Sequence, residues 1–288
     1  MERDLWKRII AGLKALPRRR PVNAVYDNRQ ILAVIFWAVL HDRPISWACQ
    51  RDNWPPQAWR RALPDQSTLS RRMRDPALCE QITFIMRHVQ KAWPKGRVLL
   101  TDGKAFTVRD QSRDPDAQTG YVTGGYAKGY KLHVVIDDAQ QVSGWQVHPM
   151  NKAESIVSSE IVQQMQPSSA RLLIGDASYD SNRFYAAAAH RGIRLIAPRR
   201  KPHRQLGHGR QQHPHRLRSI VFTEQRLGWM WLHLRTLRIE VERFFSGLVS
   251  SGAGIAHLPT WVRRIHRCRL WIGAKLAFNA ARVAHLNV

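Results

Sequence analysis

The chain has 288 residues, with 46 Lys and Arg against 21 Asp and Glu, a formal net charge of +25. That length suits one large or two modest domains, and a field of that size and sign favours a polyanion over other partners. Eleven Trp and the absence of any low-complexity tract exclude a disordered basic tail. No apolar run reaches the ~18 residues a membrane span needs and no signal peptide is seen, so the competing partner, an acidic membrane surface, is set aside. Cys49, Cys79 and Cys268 are far apart, which excludes a CxxC-type zinc site and fits reduced, packed thiols in a cytoplasmic protein.

Residues 1 to 95 read as a helical domain. Asp4 to Leu16 mixes apolar and basic positions, the basic break PRRRP follows at Pro17 to Pro21, and Asn28 to His41 is the most apolar helix, holding the longest apolar run, Ile31 to Leu40. Prolines at 44, 55, 56 and 64 then punctuate short segments. A helix over Pro56 to Leu63 followed by one over Asp65 to Arg74 (DQSTLSRRMR) makes a helix-turn-helix whose second member could enter a major groove, with Asp65 or Ser67 as N-cap. Arg71, Arg72 and Arg74 leave that helix away from Leu69 and Met73, and they suit DNA contact as well as a solvated face. Pro76 to Trp93 closes the domain.

From residue 96 to the end the pattern is that of an α/β domain. Arg97 to Asp102 (RVLLTD) and Arg171 to Asp176 (RLLIGD) echo each other: a basic residue, three aliphatics, one small residue, then Asp. Continuous aliphatic runs suit strands buried on both faces, so each Asp is expected at the carboxyl end of such a strand, where two carboxylates can stand side by side. Tyr130 to Asp137 and Gln141 to His148 read as a strand pair turning at Asp138 to Gln140, followed by a helix over Glu154 to Met165. Ser181 to His190 reads as a helix and Ile193 to Ala197 as a strand. Arg199 to Arg218 has seven Lys or Arg, four His (His203, His208, His213, His215) and no acid, which suits a basic loop lying on phosphates, with Arg199, Arg200 and Lys201 at its start. A metal on His213 and His215 is the weaker reading, because the spacing fits no common zinc motif. Leu237 to Leu248 (LRIEVERFFSGL) reads as a helix with Arg238 and Glu242 on one face, and no Asp or Glu follows Glu242. The final helix, Trp261 to His285, starts with a basic face that includes Arg263 and Arg264.

Glu242 needs a partner, either Arg238 in a helical ion pair or a metal ion shared with other carboxylates. Asp102, Asp176 and Glu242 could together bind two divalent cations, which activate a water or a sugar hydroxyl and stabilise the leaving oxygen in phosphodiester cleavage. Spacing alone leaves Asp180, Asp137, Asp138 and Glu240 as rivals.

The arrangement resembles the DDE transposases of bacterial insertion sequences, in the broad group of insertion-sequence families four and five. Asp102 in LLTDGK is similar to the first aspartate of that family, GDASYDS to the second motif, and RIEVERFFSGL to the third, in which an Arg precedes the catalytic Glu by four residues. LPTWVRRIHRCRLWIGAKL resembles the C-terminal helix, so the resemblance runs over about residues 97 to 285. It implies an RNase H-like mixed sheet flanked by helices behind an all-helical N-terminal DNA-binding domain, with Asp102, Asp176 and Glu242 as catalytic residues and ligands of two Mg²⁺ ions, for which Mn²⁺ can substitute. It implies hydrolysis at transposon ends, strand transfer to double-stranded target DNA, a homodimer on DNA and a bacterial cytoplasmic, nucleoid-associated location. Arg235 and Arg238 would bind DNA. The sequence departs from the family signature at Arg235, where the family has Tyr, and at Val249, where it has Lys, which weakens the contacts to the cleaved end. Two alternatives share the core: a metal-dependent nuclease or resolvase, and a non-catalytic DNA-binding protein derived from a transposase.

Overall fold

The computed structural model describes residues 2–18, 22–91, 95–202, 206, 211–224, 228–250 and 253–286. Helices α1 (Glu2–Ala15), α2 (Asn28–Leu40), α3 (Ile45–Ala48), α4 (Gln66–Arg72) and α5 (Ala77–Gln90) come first. Strands β1 (Val98–Thr107), β2 (Gln118–Val122), β3 (Gly125–Asp137) and β4 (Val142–Pro149) follow, then α6 (Glu154–Gln164), β5 (Leu172–Ile174), α7 (Asn182–His190) and β6 (Arg194–Ile196). Four helices end the chain: α8 (Pro214–Glu224), α9 (Gly228–Leu237), α10 (Ile239–Ser250) and α11 (Ile265–Leu286). The chain divides into two compact units. One holds Met1–Trp93, Gln111–Ala117 and Gly247–Val288; the other holds Pro94–Asp110 and Gln118–Ser246.

The first unit is all helical. Its centre is α2, buried along nearly its whole length and started by a capping box: Asp27 accepts from Gln30 N at 2.8 Å while Gln30 Oε1 accepts from Asp27 N at 3.1 Å. Trp37 stacks on Trp54 at 4.7 Å and meets Trp6 edge-on at 4.9 Å, while Phe36 meets Phe278 of α11 at 5.6 Å. The C-terminal helix thus packs with the N-terminal ones, and this unit is discontinuous in sequence. Asp114 and Asp116 bind the backbone N of Arg264 and Ile265 at the start of α11, at 3.0 and 2.9 Å.

The expected helix over 56–63 does not form. Pro55, Pro56 and Pro64 remove backbone donors and push their predecessors toward extended conformations. The segment instead crosses as turns, with Ala58 O accepting from Trp6 Nε1 at 3.3 Å and Leu63 O from the Tyr26 hydroxyl at 3.0 Å. The basic helix α4 stands, capped by Asp65, but the first member of the expected helix-turn-helix is missing before it. The last helix also starts later than expected, at Ile265, because Arg264 takes a φ of 72°.

The second unit is a six-stranded mixed sheet. β1 and β4 flank β3 antiparallel, whereas β1, β5 and β6 run parallel, an RNase H-like order of β4-β3-β1-β5-β6. β2 pairs with the outer end of β3, across the glycines Gly124 and Gly125 at φ 94° and 145°. Helices α6 and α7 bury Val157, Ile161, Phe184, Tyr185 and Ala188 in one core with Leu99, Val135, Leu173 and Leu195 of the strands. Part of the expected basic loop is helical: α8 begins at Pro214, and Arg216 binds Asp180 through two nitrogens at 2.6 and 2.7 Å. His203 and His208 lie outside the described residues. No described helix is long and apolar enough to cross a membrane.

Candidate active site

The echo between RVLLTD and RLLIGD is the register of the sheet. Val98, Leu99 and Leu100 pair with Leu172, Leu173 and Ile174 on adjoining parallel strands. Asp102 and Asp176 each stand two residues beyond the Leu100–Ile174 pair. Their settings differ from the expectation in one respect. β5 ends at Ile174 and Asp176 opens a 3₁₀ turn, but β1 continues to Thr107, so Asp102 lies mid-strand opposite Val134.

Asp102 Oδ1 accepts from Gly103 N at 2.7 Å. Burial pushes its carboxyl up to about 6; the charges of Asp176 and Glu154 push the same way, while the Gly103 hydrogen bond and the Arg238 guanidinium oppose them. Asp176 Oδ1 accepts from Ser178 N at 2.8 Å and from Ser178 Oγ at 2.5 Å. Tyr179 lies beneath with its ring fully buried, and burial together with Glu154, Asp102 and Asp176 raises its hydroxyl well above the usual range.

Glu242 is exposed in α10. The expected helix over 237–248 is broken at Arg238, which forms a turn between α9 and α10, so Arg238 and Glu242 do not share one helix. Arg238 is nevertheless close enough for its charge to act on Asp102. Among the described residues no group of three or more His, Cys, Asp or Glu is placed to hold a metal ion. The two aspartates supply hard oxygen donors of the kind that divalent cations take.

The rival acids have structural partners. Asp180, 1% exposed in its side chain, holds Arg216 and the Arg200 N. Asp137 accepts from the backbone N of Gly96, Ala139 and Gln141, and Asp138 from that of Arg97 and Val98, so both fasten the β3–β4 turn to the start of β1. Glu240 holds Gln140 Nε2 at 3.0 Å and pairs with Arg243.

The expected DNA-contacting cations divide. Arg71, Arg74, Arg200, Lys201 and Arg235 are exposed. Arg72 turns inward, donating to Tyr26 O at 2.8 Å and to Asn28 Oδ1, and Arg199 pairs with Glu224 at 2.6 Å. Arg263 is half-buried and donates to the carbonyls of Pro259 and Val262, both at 2.8 Å, whereas Arg264 is exposed beside Asp116. Around the aspartates stand three side chains that no sequence pattern singled out: Glu154, Lys131 and Ser178. The available signal for them was Ser178 inside GDASYDS and an acid opening the helix after a strand pair.

A mixed sheet that sets two aspartates at equivalent steps of adjoining central strands defines the RNase H-like class of folds with an acidic centre. A model of the transposase DDE domain matches residues 93–278, well over half of the chain, and the chain belongs to that family. A comparison with curated proteins finds no match.

Proposed function

We propose that this transposase hydrolyses phosphodiester bonds at the ends of its transposon and joins the freed 3′ end to target DNA, its hydroxyl attacking a target phosphodiester and displacing that strand's 3′ oxygen, with Asp102 and Asp176 as ligands of divalent cations, Mg²⁺ or Mn²⁺. The observation that carries this reading is the Asp102–Asp176 juxtaposition. Two carboxylates facing one another's charge in a partly buried setting are unfavourable by themselves and favourable around a cation. When bound, such ions activate a water or hydroxyl and stabilise the leaving oxygen.

The chain's own groups supply the rest. Arg238, beside Asp102, orients a phosphate oxygen and offsets the acidic charge that would repel the DNA backbone. Glu242, exposed on α10, is the third acid of the proposed set. Exposed Arg71, Arg74, Arg200, Lys201, Arg235 and Arg264 grip phosphates, and a homodimer engages two ends.

A second reading, a DNA-binding protein that has lost the chemistry, is favoured by the exposure of Glu242 and by Val249. Incubating the full chain with a duplex carrying the inverted repeat that flanks its coding region, in Mg²⁺ or Mn²⁺, separates the possibilities. Cleaved and joined products, abolished in Asp102→Asn, Asp176→Asn and Glu242→Gln while binding persists, support the transposase. Cleavage without joining points to a nuclease or resolvase, and binding without cleavage to the second reading.

A further inference from the structure

Glu154 opens α6 but its carboxylate leaves the helix end uncapped, with Ala153 as the N-cap residue. Its Oε1 instead accepts from Lys131 Nζ at 2.8 Å, and its Oε2 accepts from the Ser178 hydroxyl. Ser178 Oγ also lies 2.5 Å from Asp176 Oδ1. One hydroxyl proton serves one acceptor at a time, so Ser178 ties the two acids into a single unit. Lys131 of β3, Glu154 of α6 and the turn after β5 are thereby linked end to end. Gly103, next to Asp102, leaves room for this: a Cβ there would stand 3.2 Å from Lys131 Cδ and 3.3 Å from Glu154 Oε1.

Val157 and Ile161 already bury α6 against the sheet, so the Glu154 carboxylate is not needed to anchor that helix.

We propose that Glu154 is a positioning residue, fixed by Lys131, that acts through Ser178 to hold the Asp176 carboxylate in place beside Asp102. The inference rests on the reading that Asp102 and Asp176 bind a divalent cation.

The test is Mn²⁺ affinity of the full-length protein, read from the paramagnetic signal of the free ion, with melting temperature followed in parallel. Asp176→Asn should abolish binding. Glu154→Ala and Ser178→Ala should each weaken it about tenfold, the scale expected when a metal ligand loses its support. The double variant should be no weaker than either single one, since both act through one hydrogen bond, and Glu154→Gln, which still accepts from Ser178, should recover part of the affinity.

Wild-type affinity in Glu154→Ala, with binding abolished in Asp176→Asn, overturns the positioning role and leaves the metal reading intact. So do effects of the two single variants that simply add. Wild-type affinity in Asp176→Asn removes the metal reading and the positioning role with it. Should Glu154→Ala fail to fold, Ser178→Ala decides: unchanged affinity overturns the link, and a tenfold weakening supports it.

Discussion

Asp102 and Asp176 each stand two residues past the Leu100–Ile174 pair of neighbouring parallel strands, Asp102 within β1 and Asp176 in the turn just after β5. Parallel pairing has an even spacing, so two equal runs of residues started in register arrive together. The acids meet because the aliphatic runs before them have the same length.

Burying Asp102, with the charge of Asp176 adding to the effect, costs stability when no cation is present. The carboxyl of Asp102 is raised from 3.8 to about 6. The stability it contributes is therefore complete below pH 3.8 and fades as pH rises through about 6. Ionised Asp102 then penalises the metal-free fold by roughly 3 kcal/mol. Asp102→Asn should raise the urea midpoint in EDTA at pH 7.5, and by about half as much at pH 5. Mn²⁺ should stabilise the wild type and not the variant. Equal midpoints at pH 7.5 would mean that Asp102 is not held under this strain.

Asp180 differs from Asp176 although four residues separate them in GDASYDS. Its buried carboxylate holds Arg216 by two hydrogen bonds at 2.6 and 2.7 Å. Removing one partner of a buried pair costs about 3–5 kcal/mol. Asp180→Ala should lower unfolding stability by that order, whereas Asp176→Asn should leave stability near wild type and remove Mn²⁺ binding. Denaturant unfolding of the two variants side by side checks the split.

The three arginines of the α4 segment should separate by assay. Arg72 serves the interior of its unit through Tyr26 O and Asn28, and Arg72→Ala should destabilise by about 1–3 kcal/mol. Arg71→Gln and Arg74→Gln, at exposed positions, should leave stability within about 0.5 kcal/mol of wild type. If they face DNA they should weaken binding and flatten its salt slope by about one for each phosphate no longer neutralised. Arg200→Gln with Lys201→Gln should do the same, while Arg199, engaged by Glu224, should contribute less. Affinity measured at several salt concentrations reads all of these.

Lys275 is fully buried in α11, with its ammonium 2.7 Å from Asp42, and burial holds its pKa below the usual value. Asp42→Ala strands that cation, and because Asp42 is half exposed the expected destabilisation is at the lower end, about 2–3 kcal/mol. Lys275→Met should be tolerated better, and should suppress the effect of Asp42→Ala in the double variant. Equal destabilisation by the two single changes would contradict this.

Much of the placement of the two aspartates could be read from the sequence. RVLLTD and RLLIGD carried both the burial of their strands and the register that joins the acids, since side-chain type records burial and equal length records alignment. β2 and the outer half of β3 escaped because QTGYVTGGYAKG has no aliphatic run, although its paired glycines mark a turn. The segment 56–63 looked helical by composition, yet three prolines and its ties to Trp6 and Tyr26 decided otherwise.

Local pattern therefore determined most of the helices, the central strands and the placement of the two aspartates after their aliphatic runs, because each depends on neighbours a few residues away. Tertiary structure alone decided which acids serve as anchors and which arginines turn inward. Those outcomes depend on partners tens of residues away, such as Asp180 with Arg216, Arg72 with Tyr26 and Glu154 with Lys131, which leave no periodic trace in the chain.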